Sequence, residues 1–300
     1  MLTLVMPNAQ VVAGINVQQA MTTPFGLYLL SLIAPQNQQI QSLATMIGFN
    51  PMTDVTELLV AYTGAPAHAG VALARGTFDP AKIVAAATLA GATTETYGGL
   101  TILEPKPAPA AATATTATTP QPTPGLAFLD STLAVVGDVA SVKAAIDRRT
   151  APSVLPSALL TQVNQWSTTQ DAWVVDTAPL SSLNLPAGAP KLPGGAQMFQ
   201  AVQQAAGGVK FGANVVVTTQ AQTDTAQNAT ALAGILQFVA NLAQTQATQD
   251  PQATALLKSL TVTATGNAMN LTLSLPQAQI EQLVPRAGAT QSQHRAVRKM

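Results

Sequence analysis

Charge is scarce in this chain: 300 residues carry 13 Lys and Arg, 13 Asp and Glu and two His, against 28 Gln and 38 Thr. Neutral polar groups therefore do most of the solvating. Enzyme sites usually hold ionisable groups at perturbed pKa values in a cleft, and so small a supply counts against catalysis. Cysteine is absent, which excludes disulfides, a thiolate nucleophile and Cys-ligated zinc or iron-sulfur sites, and leaves the compartment open. Aromatics make up only 4%. With no basic stripe and few rings on which bases could stack, a nucleic-acid partner is not expected, and three Tyr and two Trp are too few for a sugar-stacking platform. Long apolar runs are missing too. Leu27 to Ala34, with Ser31 inside it, falls far short of the roughly 20 residues needed to cross a bilayer, so no transmembrane segment is expected.

What the chain does have is a hydrophobic fraction of 47%, enough for a sizeable core at a length that suits two ordinary domains or one large one. Formal charge sums to zero, but Arg286, Arg295, Arg298 and Lys299 sit in the last 15 positions. The body is thus mildly acidic and the tail basic. Met1 to Gln10 has no basic n-region and meets Pro7 and Asn8 early, so no signal peptide is visible there.

Alternation over Gln10 to Val17 predicts a half-buried strand. Thr22-Thr23-Pro24 opens a helix through Phe25, Leu29, Leu32 and Ile33, and a more polar helix follows from Gln36 to Ile47. Strands are expected at Leu58 to Thr63, Gly70 to Gly76 and Tyr97 to Leu103, with a helix from the cap Asp79 to about Gly91. Residues 105–124 are almost pure Pro, Ala and Thr, a composition that cannot pack a core and reads as a disordered insertion loop. A tight hairpin follows around Leu129 to Thr132, and Asp138 caps the next helix.

The pattern then restarts: a helix to about Trp166, a strand from Ala172 to Thr177, a helix near Gln197 to Ala205 and a strand from Val209 to Thr218. A long helix is expected from the cap Asp224, another after Asp250-Pro251, a hairpin around Gly266-Asn267, and a last helix opened by Pro276. Both halves thus run strand, helix, strand, helix, hairpin, helix. The expected fold is α+β, as two tandem two-layer halves with mainly antiparallel or mixed sheets and helices on one face. The halves span residues 1–152 and 153–285, and a basic disordered tail spans 286–300.

No G-x-S-x-G, H-E-x-x-H, Walker A or strand-linked G-x-G-x-x-G string is present. No catalytic, cofactor-binding or metal-binding residue is assigned, and no cofactor is expected. Among scarce residues, His68 occupies a loop where a general base is presentable, but no Ser, Asp or Glu lies beside it. Asp79, Asp138, Asp224 and Asp250 stand where helices begin and Asp130 in a turn, so capping explains them. Asp171 and Asp176, flanking Trp173 on a strand, are not explained that way. The helix bearing Phe25, Tyr28, Leu29 and Leu32 is apolar around much of its circumference, which reads as burial between layers or as the lining of an apolar ligand site.

Pro7 to Val17, followed by Thr23-Pro24-Phe25-Gly26, resembles the opening of a group of uncharacterised bacterial proteins predicted to be exported. Ala134 to Ile146 and Gly266 to Leu283 are similar to later blocks of the same group. The resemblance implies export, to the periplasm or cell envelope, and carries no functional residues with it. Three functions are expected, in descending order: a non-enzymatic binding or scaffold protein of the envelope; a carrier or sensor of a small apolar ligand; and a hydrolase with a dispersed site around His68.

Overall fold

Alternation on the first strand, β1 (Val11–Asn16), sends Val12 and Gly14 to one side and Val11, Ala13 and Ile15 to the other. The computed structural model describes residues 1–33, 49–64, 69–105, 123–178, 201–246, 251–276 and 279. In it β1 has neighbours on both edges: Ala13 lies opposite Val60 of β2 (Val55–Tyr62) and opposite Val174 of β8 (Ala172–Asp176). Beyond β2 the sheet continues through β3 (Gly70–Gly76), β7 (Leu133–Asp138), β6 (Pro124–Asp130), β5 (Leu100–Glu104) and β4 (Thr93–Tyr97). Beyond β8 it continues through β9 (Val202–Lys210), β10 (Asn214–Thr223), β12 (Ala268–Pro276) and β11 (Leu260–Thr265). Among the described residues, twelve strands form one sheet with antiparallel neighbours.

Helices pack on both faces, where one covered face is the expectation from sequence. On the first face, Val12, Leu59, Leu73, Val135, Ile102, Trp173 and Val175 lie beneath α5 (Val139–Asp147), α6 (Ser157–Thr169) and the segment Leu4 to Met6. On the second face, Ile15, Leu58, Ala74, Ala134, Phe128, Val209 and Phe211 meet α1 (Val17–Ala20), α2 (Pro24–Ile33) and α4 (Pro80–Leu89). The reason is visible in the strands: β2, β3 and β7 are apolar on both pleats, as strands sandwiched between layers are. Full burial of Leu73, Ile102 and Leu159 stabilises the fold by about 1.5–3 kcal/mol each. Further along the second face, α7 (Ala226–Gln246) packs Leu232 and Ala233 on Val202, Val262 and Met269, and α8 (Pro251–Lys258) brings Leu256 to Val215 and Leu275. There the first face keeps the polar half of the alternation, with Thr261, Thr263 and Thr265 exposed. A one-turn helix, α3 (Pro51–Asp54), precedes β2. No helix among the described residues is long and apolar enough to cross a membrane.

The expected caps at Asp79 and Asp138 are in place: Asp79 Oδ1 accepts from Lys82 N–H at 3.1 Å and Asp138 Oδ1 from Ser141 N–H at 2.8 Å. Asp130 ties its turn by accepting from Thr132 N–H. At α7 the capping side chain is Thr225, which accepts from Asn228 N–H, rather than Asp224, which accepts from the Asn228 side chain. Tyr97 to Leu103 is not one strand. Gly98 and Gly99 take φ of +55° and +76°, a pair of left-handed residues that turns the chain in two steps and makes a hairpin of β4 and β5. The expected helix over Gln197 to Ala205 and strand over Val209 to Thr218 are also replaced: from Val202 the chain is β9, a turn at Phe211 to Ala213, then β10. Gly207 and Gly208 weaken a helix there, and the register needs a small residue, since a Cβ on Gly208 would collide with Gln170 Cγ. The expected helices over Gln36 to Ile47 and after Pro276, the cap Asp250, most of the Pro/Ala/Thr loop and the basic tail lie outside the described residues.

Three pairs of backbone hydrogen bonds recur across the sheet. Asn16 N–H donates to the Asp171 carbonyl at 2.7 Å, and Thr177 N–H to that of Gln10 at 2.9 Å. Gly76 N–H donates to Thr132 at 2.9 Å and Thr223 N–H to Asn267 at 2.8 Å; Thr77 N–H donates to Asp54 at 2.7 Å and Asp224 N–H to Ala201 at 3.1 Å.

Candidate functional site

Where β1 ends and β8 begins, the first face carries a polar cleft of about 450 Å³ lined by Asn16, Gln18, Gln19, Thr56, Glu57, Ser167, Thr168, Gln170, Asp171, Trp173 and Lys210, with Ile15 at its edge. Its parts come from distant stretches of chain. Asn16 caps α1 by accepting from Gln19 N–H at 3.0 Å, which turns Gln18 and Gln19 to this end of the sheet. Glu57 enters from β2 opposite Asn16, Ser167 and Thr168 from the last turn of α6, and Lys210 from the end of β9.

Asp171 is the buried ionic group of the cleft, with 7% of its side chain exposed. Both oxygens are taken. Oδ1 accepts from Lys210 Nζ at 2.8 Å, and Oδ2 accepts from Phe211 N–H at 2.7 Å. With one donor on each oxygen and little exposure, this carboxylate holds the β8–β9 corner together. Lys210 is 53% exposed. Glu57 faces Arg75 Nε at 3.5 Å, with both side chains half-exposed.

Trp173 forms part of the cleft wall, and its ring lies on Gly14, where a Cβ would come within 2.7 Å of Cζ2. Gly14 is therefore what lets the indole lie flat on β1. Gln170 lies over Gly208 in the same way. Its Oε1 is buried without a hydrogen-bond partner, an arrangement natural proteins seldom tolerate without compensation. Among the described residues, the side chains of Gln18 and Gln19 and the Trp173 indole N–H also make no hydrogen bond. Ser167 and Thr168 spend their protons on the Asn164 carbonyl at 3.3 and 2.8 Å and keep their oxygens as acceptors.

The residues singled out from sequence do not converge. Asp171 and Trp173 line the cleft, whereas Asp176 lies at the other end of β8 on the second face, opposite Val11 and Ala205. Burial raises the Asp176 carboxyl above its ordinary range, against the lowering effect of Ala178 N–H, which donates to Oδ1 at 2.7 Å. Phe25 and Tyr28 are on the second face as well, where Phe25 meets Phe211 edge-on at 6.2 Å and stacks with Tyr28 at 6.3 Å. The side chains of Leu29 and Leu32, and all of His68, lie outside the described residues. Sequence reasoning missed Asn16, Gln18, Glu57, Gln170 and Lys210. Lys210, a charge inside an otherwise neutral strand, was a usable signal; the glutamines, among 28 of their kind, carried none. Among the described residues no three His, Asp or Glu are grouped to hold a metal ion. No family model, curated protein or solved structure matches the chain.

Proposed function

We propose that the chain is a non-enzymatic binding protein of the cell envelope, built from two tandem α+β halves, and that it holds a small molecule in the cleft between β1, β2, β8, β9 and α6. The lining of that cleft carries the reading: amides and hydroxyls dominate, and its buried carboxylate already has both oxygens occupied. Sites that fix a ligand without transforming it need complementary hydrogen-bonding groups and no free acid or base. Asp176, the carboxyl raised above its ordinary range among the described residues, stands on the opposite face.

The tandem reading, with its boundary near residue 152, is supported by the sheet. Exchanging β1 with β8, β2 with β9, β3 with β10, β7 with β12 and β6 with β11 leaves the strand order unchanged. The same exchange carries each member of the three recurring hydrogen-bond pairs onto the other. On this reading the β4–β5 hairpin and the Pro/Ala/Thr loop are an insertion in the first half. Envelope location is supported by the resemblance to exported proteins, and fractionation of the native cells tests it.

Thermal-shift screening of the full chain against a chemically varied set of small molecules, repeated on Thr168→Trp to fill the cleft, tests the binding reading. A ligand that raises Tm of the native chain and leaves the filled variant unmoved is the expected result. Turnover lost on His68→Ala or Asp176→Asn would overturn it in favour of an enzyme.

A further inference from the structure

The cleft's inventory also specifies the chemistry of its occupant, an inference that rests on the binding reading. Anions are poorly served: an anionic molecule would meet Glu57 and Asp171, and the ammonium of Lys210 is already engaged at 2.8 Å. Cations fare little better, because the only carboxylate with accessible oxygens, Glu57, is half-exposed and faces Arg75, and such exposed pairs contribute little. An apolar occupant would cover the solvent-facing side chains of Gln18, Ser167 and Thr168 and strip them of water with no hydrogen bond in return.

What remains is a surface that offers donors and acceptors side by side. Ser167 Oγ and Thr168 Oγ1 accept; Trp173 Nε1–H donates; the free amides of Gln18 and Gln19 do both. Hydroxyl groups match such a surface, since each donates once and accepts twice without fixed polarity. We infer that the cleft receives a neutral polyhydroxylated molecule, a saccharide or related polyol, held by amides, hydroxyls and the indole N–H. Trp173 offers its N–H rather than a ring face, because one face lies on Gly14 and the residue is only 9% exposed.

Isothermal titration and Trp fluorescence of the full chain test this, with glucose, maltotriose, cellobiose and myo-inositol as neutral probes and glucuronate, spermidine and acetyl-trialanine amide as contrasts. At least one neutral probe should bind, with glucuronate no tighter than glucose; maltotriose against inositol separates a glycan chain from a free polyol. Gln19→Leu should weaken that binding about tenfold, the effect of losing one hydrogen bond to the occupant. Gln170→Met should leave binding unchanged and unfold at an equal or higher urea midpoint, because it removes an unpaired buried oxygen. Gln18→Ala, at an exposed position, should weaken binding with no change in midpoint. Binding confined to glucuronate, spermidine or the peptide amide, and lost in Gln19→Leu, overturns the polyol assignment and leaves the binding reading standing. Neutral-probe binding indifferent to both Gln18→Ala and Gln19→Leu places the ligand elsewhere and overturns the assignment. Absence of binding by every probe removes the assignment and the binding reading together.

Discussion

Removing the Asp171 carboxylate should destabilise the protein far more than removing the lysine it pairs with. Phe211 N–H is buried under a ring that is 4% exposed, and its acceptor is Asp171 Oδ2 at 2.7 Å. Asp171→Ala leaves that donor without a partner; a hydrogen bond to a charged group contributes about 1.5–3 kcal/mol, and an orphaned buried donor costs about 1–3 kcal/mol. Lys210 is half-solvated, so its loss costs about 0–1 kcal/mol. The expected order is Asp171→Ala at about 2–4 kcal/mol, Asp171→Asn at about 0.5–1.5 because an amide oxygen still accepts from Phe211 N–H, and Lys210→Met below about 1. Urea unfolding followed by Trp fluorescence reads these as midpoint shifts at constant slope. If Lys210→Met costs as much as Asp171→Ala, the ion pair and not the backbone bond dominates, and the reasoning is refuted.

Other expectations follow from single positions. Asp176 has a folded-state pKa above its unfolded value, so its contribution is fully present below about pH 4 and is lost as pH rises through the folded value. Asp176→Asn should therefore raise Tm at pH 7 and leave it unchanged at pH 3. Asp130, lowered chiefly by the Thr132 side-chain hydrogen bond, acts with the opposite sign, and its contribution is lost as pH falls through its folded value, below the window in which Asp176 acts. Gly14→Ala should cost about 1–3 kcal/mol by overpacking and shift Trp emission, because the new Cβ meets the Trp173 ring; an unchanged spectrum would contradict the packing. Gly234→Ala should stabilise by about 1 kcal/mol, as helical glycines with open space do, whereas Gly266→Ala, at φ +55°, should cost about 1–2 kcal/mol. Residues 1–152 and 153–300, coexpressed as separate chains, should copurify through the β1–β8 ladder; independent elution would count against it.

Much of the fold was legible wherever local chemistry decides. Asp79-Pro80, Asp138 and Asp130-Ser131-Thr132 announce a helix start or a turn within four residues, and each sits as read. Pattern failed where two explanations share one composition. Val202 to Ala206 suits a helix or a strand, and the close approach of Gly208 to Gln170 and Ala172 decides for the strand. Covering of both faces was visible in the apolar pleats of Leu58, Leu59, Val71 and Leu73 but needed the partner strands to be interpreted. The cleft was least legible. It gathers Asn16, Glu57, Gln170 and Lys210 from four separated segments, and neutral amides leave no trace in charge, spacing or motif.

The β1–β8 ladder at the centre of the sheet also sets a schedule for biogenesis. Ala172 follows Asn16 by more than half of the chain, so at about 5–20 residues per second the ribosome leaves β1 without this neighbour for roughly 8–30 s. During that interval the nascent first half presents an open strand, Val-Val-Ala-Gly-Ile-Asn, with no charge or proline to discourage strand addition by another chain. Until β8 is made, the first strand, destined for the middle of the sheet, keeps one edge unpaired.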